Sequence, residues 1–197
     1  MGRVRLIFKS VSEIVGSQDV GLLILTDSAE QRQVAVPCDR MVLNEFSVRL
    51  GHSSTALKRL PEALYNLLQW QTDLKLEILI DYLDEGVYQA MLSNAETYAP
   101  VPIRASDAIL LSYVSHNDIP IYMDENLYLR QSTVYDSQSP GVALPVNTIS
   151  DEMLQKALDK AIKEEDYEMA SHLRDEINRR RRQGSKETEK DDREVEE

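Results

Sequence analysis

Ile103–Tyr122, IRASDAILLSYVSHNDIPIY, carries the signals of a helix start, a buried helix, a turn and a strand in unbroken succession. Ser106 is placed to cap the helix, and Asp107 falls in its first turn against the positive end of the dipole. Ile109, Leu110, Tyr113 and Val114 share one face, and His116-Asn117-Asp118 end the helix before Pro120 opens a short strand. The reading is a core helix docked on a sheet.

Upstream of that stretch, Tyr98–Ile103 is extended, and Pro100 and Pro102 confine it to a sheet edge. Leu74–Leu83 alternates Leu74, Leu76, Ile78 and Ile80 against Lys75, Glu77 and Asp81. Asp84-Glu85-Gly86 is a tight turn and Val87–Leu92 the returning strand, so this segment is a hairpin. Pro61 suits the first turn of a helix reaching Gln71, with Leu64, Leu67 and Leu68 as its expected buried stripe. Asp39 is the N-cap of an earlier helix that buries Val42, Leu43, Phe46 and Leu50 and stops at Gly51. Three apolar runs, Val4–Phe8, Val20–Thr26 and Gln33–Pro37, read as an opening three-stranded sheet. Strands and helices in mixed order, joined by long hairpins, indicate an α+β fold with a mixed or antiparallel sheet.

Downstream, residues 133–149 shift to Ser, Gln, Pro, Gly and Asn, the chemistry of a linker. Residues 150–182 then return to helical periodicity. Leu154, Leu158, Ala161 and Ile162 form one stripe and Ala170, Leu173 and Ile177 another, joined by the polar turn Glu165-Asp166-Tyr167 with Asp166 as N-cap. Arg179–Arg182 close the second helix where cations suit the dipole. Residues 183–197, with seven acids and three bases after Gly184, have almost nothing to bury and are expected to be a disordered acidic tail. The division is therefore residues 1–132 as an α+β domain, a linker, a helical hairpin and a tail.

Several function classes are disfavoured by the totals. The 197 residues suffice for one proper core plus an appendage. No apolar run approaches the ~20 residues of a membrane span, and the N-terminus lacks the apolar core of a signal peptide, so a cytoplasmic protein without membrane contact is expected. Cys38, the single cysteine, excludes an internal disulfide and reads as a small core residue. His52, His116 and His172 stand in unrelated contexts. The net charge of −12 is spread along the chain: residues 1–150 hold 11 basic and 18 acidic side chains, and residues 151–197 hold 11 and 16. This balance opposes strong nonspecific binding to nucleic acid, which relies on neutralising phosphates, but is compatible with a local basic groove or an acidic metal site.

Arg104-Ala-Ser-Asp-Ala108, followed by its apolar helix and Pro120-Ile-Tyr122, resembles the R-x-S-D-A signature of the bifunctional nuclease family. Glu165-Asp-Tyr-Glu168, Ala170, Leu173-Arg-Asp175 and Ile177 resemble the UVR motif, a helical hairpin named from bacterial excision-repair nuclease subunits. Together the two resemblances cover most of the chain. The first implies a nuclease hydrolysing phosphodiester bonds of DNA or RNA with Mg2+ or Mn2+. The second implies a hairpin that docks on a protein partner or pairs with another hairpin, through Leu154, Leu158, Tyr167, Leu173 and Ile177.

In the nuclease reading Arg104 meets phosphate through its forked donors, Asp107 holds the ion, and Ser106 fixes the helix start. Asp124 and Glu125, just after the strand, are further candidate metal ligands. The alternative is that Ser106 and Asp107 only begin the helix and Arg104 pairs with a nearby acid. The chain departs from the family pattern at three places. Cys38-Asp-Arg-Met-Val42 stands where members have a Gly-rich segment and a glutamate opening the first helix. Leu60-Pro-Glu-Ala63 stands for a Thr-His-Asp group, and Pro102 for an acid. Glu62 is the one obvious substitute. These departures define a second functional class, a regulatory scaffold acting through protein binding by the hairpin.

Overall fold

The computed structural model describes residues 2–13, 20–51, 55–136 and 151–163, together with 167, 170, 171, 173–175, 177 and 178. The chain divides into two units, Met1–Leu144 and Pro145–Glu197.

The first unit is a mixed α+β domain built on one eight-stranded sheet. In chain order its strands are β1 (Arg3–Glu13), β2 (Val20–Asp27), β3 (Arg32–Asp39), β4 (Leu76–Asp84), β5 (Val87–Asn94), β6 (Val101–Arg104), β7 (Ile121–Asp124) and β8 (Thr133–Val134). Across the sheet they lie β6-β5-β4-β7-β1-β2-β3-β8. Neighbours are antiparallel except β4 and β7, which pair in parallel with Ile78 opposite Ile121. The helices are α1 (Arg40–Leu50), α2 (Leu60–Gln71), α3 (Ala105–Val114) and α4 (Glu125–Gln131), with a 3₁₀ turn at Ala56–Lys58.

Local chemistry accounts for most of these elements. Asp39 caps α1 by accepting the Val42 N–H at 2.9 Å, and Gly51 ends it. The β4–β5 turn places both Glu85 and Gly86 at positive φ, the type I′ geometry that matches the twist of the strands. Pro102 sits in β6 at the sheet edge, where a missing N–H costs no ladder bond. Asp27 holds the β2–β3 turn by accepting the N–H groups of Gln31 and Arg32, and its Oδ2 also takes the Tyr128 hydroxyl at 2.6 Å.

The sheet curls around α3. Six strand-to-strand steps of ~4.8 Å would hold the ends of β6 and β3 almost 30 Å apart in a flat sheet. In the structure Arg104, ending β6, reaches Asp39, ending β3, at 2.9 Å. A bulge in β1 between Phe8 and Ser10 helps this strand bend. Inside the curve α3 packs against α1, β3 and β5, and Ala105, Ala108, Ile109, Leu110 and Val114 are buried. Phe8 stacks on Phe46 with centroids 4.6 Å apart, and Tyr113 meets Phe8 edge-on at 5.3 Å, so β1, α1 and α3 share one aromatic joint. Leu22, Ile24 and Ala35 form a second cluster on the other face of β2 and β3, so that this hairpin is buried on both sides.

Four expectations are corrected. Ser106 does not cap α3: the helix begins at Ala105, Arg104 occupies the cap position without a side-chain bond, and Ser106 is buried in the first turn. The stripe Leu64, Leu67, Leu68 is not core, because α2 contains no buried residue and Leu64 and Leu67 are exposed. Leu50 of α1 is exposed as well. Thr133 and Val134, expected in the linker, pair with Gln33 and Arg32 as β8. The helix α4 carried no strong apolar period. Asp124 starts it, accepting the N–H groups of Asn126 and Leu127.

In the second unit, α5 (Asp151–Lys163) contributes Leu154 and Ala161 to a small core with Ala170, Leu173 and Ile177, and Leu158 packs against it. Asp166 as N-cap, Arg179–Arg182 and the acidic tail lie outside the described residues.

Candidate functional site

Four elements converge where β3 passes into α1 and β6 into α3. Arg104 closes β6 in extended conformation, so its side chain leaves the sheet edge at the N-terminus of α3. Its Nε and Nη2 donate to the two oxygens of Asp107, one helical turn on, at 2.7 and 3.0 Å. Its Nη1 donates to Asp39 Oδ2 at 2.9 Å. The guanidinium thus bridges two carboxylates while its side chain stays 61% exposed.

The electrostatics follow from these bonds. Hydrogen bonds from Arg104 to Asp107 and then Asp39 raise the Arg104 pKa, so the cation is permanent. Asp39 is held below the ordinary carboxylate range, mainly by the Val42 N–H and, against some cost of burial, by Arg104. Beside it, burial pushes the Cys38 thiol up to about 12, with the Asp39 charge adding to the effect. A thiol so placed stays protonated at neutral pH and is no nucleophile.

Each candidate residue now has a place. Arg104 and Asp107 come together; Asp39, read from the sequence only as a helix cap, joins them. The sequence signalled it only through its place at the head of α1. Glu62 is engaged elsewhere: both its oxygens accept from Arg49, at 2.7 and 2.8 Å, and the Arg49 side chain is almost wholly buried. Glu45 accepts from Arg49 and also from Arg59, so this network ties α1 to α2. Asp124 is occupied in capping α4. Glu125 lies against Gly2, whose carbonyl accepts its N–H. Among the described residues no three His, Cys, Asp or Glu side chains are grouped to hold a metal ion. Of the candidate carboxylates Asp107, Asp124, Glu125 and Glu62, Asp107 is the one bonded to Arg104, and Asp39 joins it there.

The hairpin also needs correction. Leu154, Leu173 and Ile177 are buried in its own core and Leu158 packs against them, so these four hold the helices together and are not free to meet a partner. Tyr167 is exposed, as is Ile162, which the periodicity had placed in the inner stripe.

No family model matches the chain, and no curated protein matches it. Among the described residues, no helix is long and apolar enough to cross a membrane.

Proposed function

We propose that the first unit is a phosphodiesterase acting on DNA or RNA, with Asp39, Arg104 and Asp107 as its centre. The observation that supports this reading is the convergence of two carboxylates on one half-exposed guanidinium. The sequence alone offered a single carboxylate there, whereas phosphodiester chemistry calls for more than one charged group at the reacting centre.

As it stands the trio carries one net negative charge and would repel a phosphodiester. Mg2+ is commonly bound by one or two carboxylates completed by substrate phosphates, a requirement that Asp39 and Asp107 meet, since carboxylate oxygens keep spare lone pairs after accepting one hydrogen bond. A divalent cation there would supply the positive charge that makes the site attractive to phosphate. Asp39, fully ionised through its depressed pKa, suits cation binding and is a poor proton acceptor. Arg104 spends three of its five N–H groups on the carboxylates and retains two for phosphate oxygens.

The test is cleavage of labelled single- and double-stranded DNA and RNA with Mg2+ or Mn2+, by the full chain and by Asp107→Ala and Asp39→Asn. A loss of at least about 100-fold in both folded variants is expected. Equal activity in all three proteins would refute the assignment.

A second role, protein docking through the hairpin, is favoured by the exposure of Ile162 and Tyr167 on a unit where Leu154, Ala161, Ala170, Leu173 and Ile177 are spent on its own core. Tyr167→Ala is expected to abolish capture of a partner from lysate without changing cleavage.

A further inference from the structure

The apolar stripe of α2 faces solvent, and among the described residues of the first unit no element covers it. Leu60 and Trp70 are 76% and 80% exposed, Leu64 and Leu67 are 47% and 49%, and Leu57 and Leu74 extend the strip at either end. Within α2 the spacing 60, 64, 67 is that of a helix that packs lengthwise on another helix, Trp70 adjoins it, and Leu57 on the preceding 3₁₀ turn and Leu74 beyond the helix end flank it. Exposed single leucines are ordinary on protein surfaces, but a continuous seam of this length is not. Together these side chains offer roughly 700 Å2, close to the ~800 Å2 that one partner contributes to a standard interface.

We infer that α2 is the two-fold interface of a homodimer, in which it packs antiparallel against α2 of a second copy. Two features select this occupant. The seam is nearly self-complementary, as a two-fold interface requires. Centred between Tyr65 and Asn66, it sets Leu64 against Leu67 of the second copy and brings the end that carries Leu57 and exposed Lys58 beside the end of the second copy that carries Leu74 and exposed Asp73. Charge is the other feature. The chain carries −12, so two copies repel, yet α2 has one ionisable acid, Glu62, and it is turned inward onto Arg49. The exposed residues of α2 beside the seam positions are Ala63, Gln69 and Gln71, so no like charges meet at the axis. Among the described residues along this face the one exposed carboxylate, Asp73, is answered by Lys58 of the second copy.

Trp70, the only tryptophan, lies in the seam and reports on it directly. Sedimentation of the full chain should give twice the mass of one chain, and Trp70 emission should shift to longer wavelength on dilution. The pair Leu64→Glu and Leu67→Glu, at positions exposed in the single chain, should raise the dimer dissociation constant by about 100-fold or more with circular dichroism and Tm of the monomer retained. Leu129→Glu, at a more exposed leucine on α4 outside the seam, should leave the dimer intact. A monomer at all concentrations would overturn the inference and leave the face to a different protein. So would a dimer that survives the α2 substitutions with Trp70 still solvated.

Discussion

At Asp39 one side chain serves a helix and a site, and substitution separates the two roles. Asparagine caps a helix as well as aspartate does, so Asp39→Asn should remove only the contact with Arg104, worth about 0.5 kcal/mol at this exposure. Asp39→Ala should lose the cap too, about 1 kcal/mol more by urea denaturation. The pH dependence has a definite sign. The folded pKa lies below the unfolded value of 3.8, so the unfolded chain binds the proton more readily. The Asp39 contribution is complete above that value and is lost as pH falls through the folded pKa; the gap between wild type and Asp39→Asn should therefore close below about pH 3.8. One residue earlier, Cys38 should resist thiol reagents at pH 8 in the native protein and react fully in denaturant, because burial keeps it protonated.

Among the elements, α1 and α3 fix the site by way of the aromatic joint. Phe46 is fully buried against Phe8 and Tyr113, so Phe46→Ala should cost about 4 kcal/mol and loosen the approach of Asp39 to Arg104. Its destabilisation is measured by denaturant unfolding. Helix α2 depends on a buried ionic link instead. Arg49→Met leaves Glu62 with a nearly buried charge and no cation, at a cost of about 3 kcal/mol. The double variant Arg49→Met with Glu62→Met should recover most of that loss, because a hydrophobic pair of similar volume needs no desolvation of charge. A cycle in which the two single losses simply add would refute the pairing. The leucines of α2 were legible as a stripe, whereas the surface on which they pack was not, since periodicity records that a helix has an apolar face and is silent about what covers it.

Over the whole molecule, charge sets the terms on which nucleic acid is met. With −12 spread over both halves of the chain, long-range attraction to a polyanion is absent. At physiological salt and without divalent cation, the protein should not retard a random-sequence duplex in a mobility-shift experiment. Stable retardation under those conditions would contradict the assignment of the Arg104 site as dependent on a cation. Curvature acts at this scale as well, since only a sheet bent around α3 brings β3 and β6 together.

Legible in the chain before folding were the α+β class, the three opening strands, the β4–β5 hairpin, the cap at Asp39, the stop at Gly51 and the proline at the head of α2. All of these rest on signals within a few residues: alternation, capping chemistry and the restricted backbone of proline. Only long-range packing settled that Asp39 meets Arg104, that Glu62 pairs with Arg49, that Ser106 is core and not a cap, and that the seam of α2 faces outward. Those outcomes depend on contacts between residues distant in the chain, set by how far the sheet bends and which faces the core has room to accept.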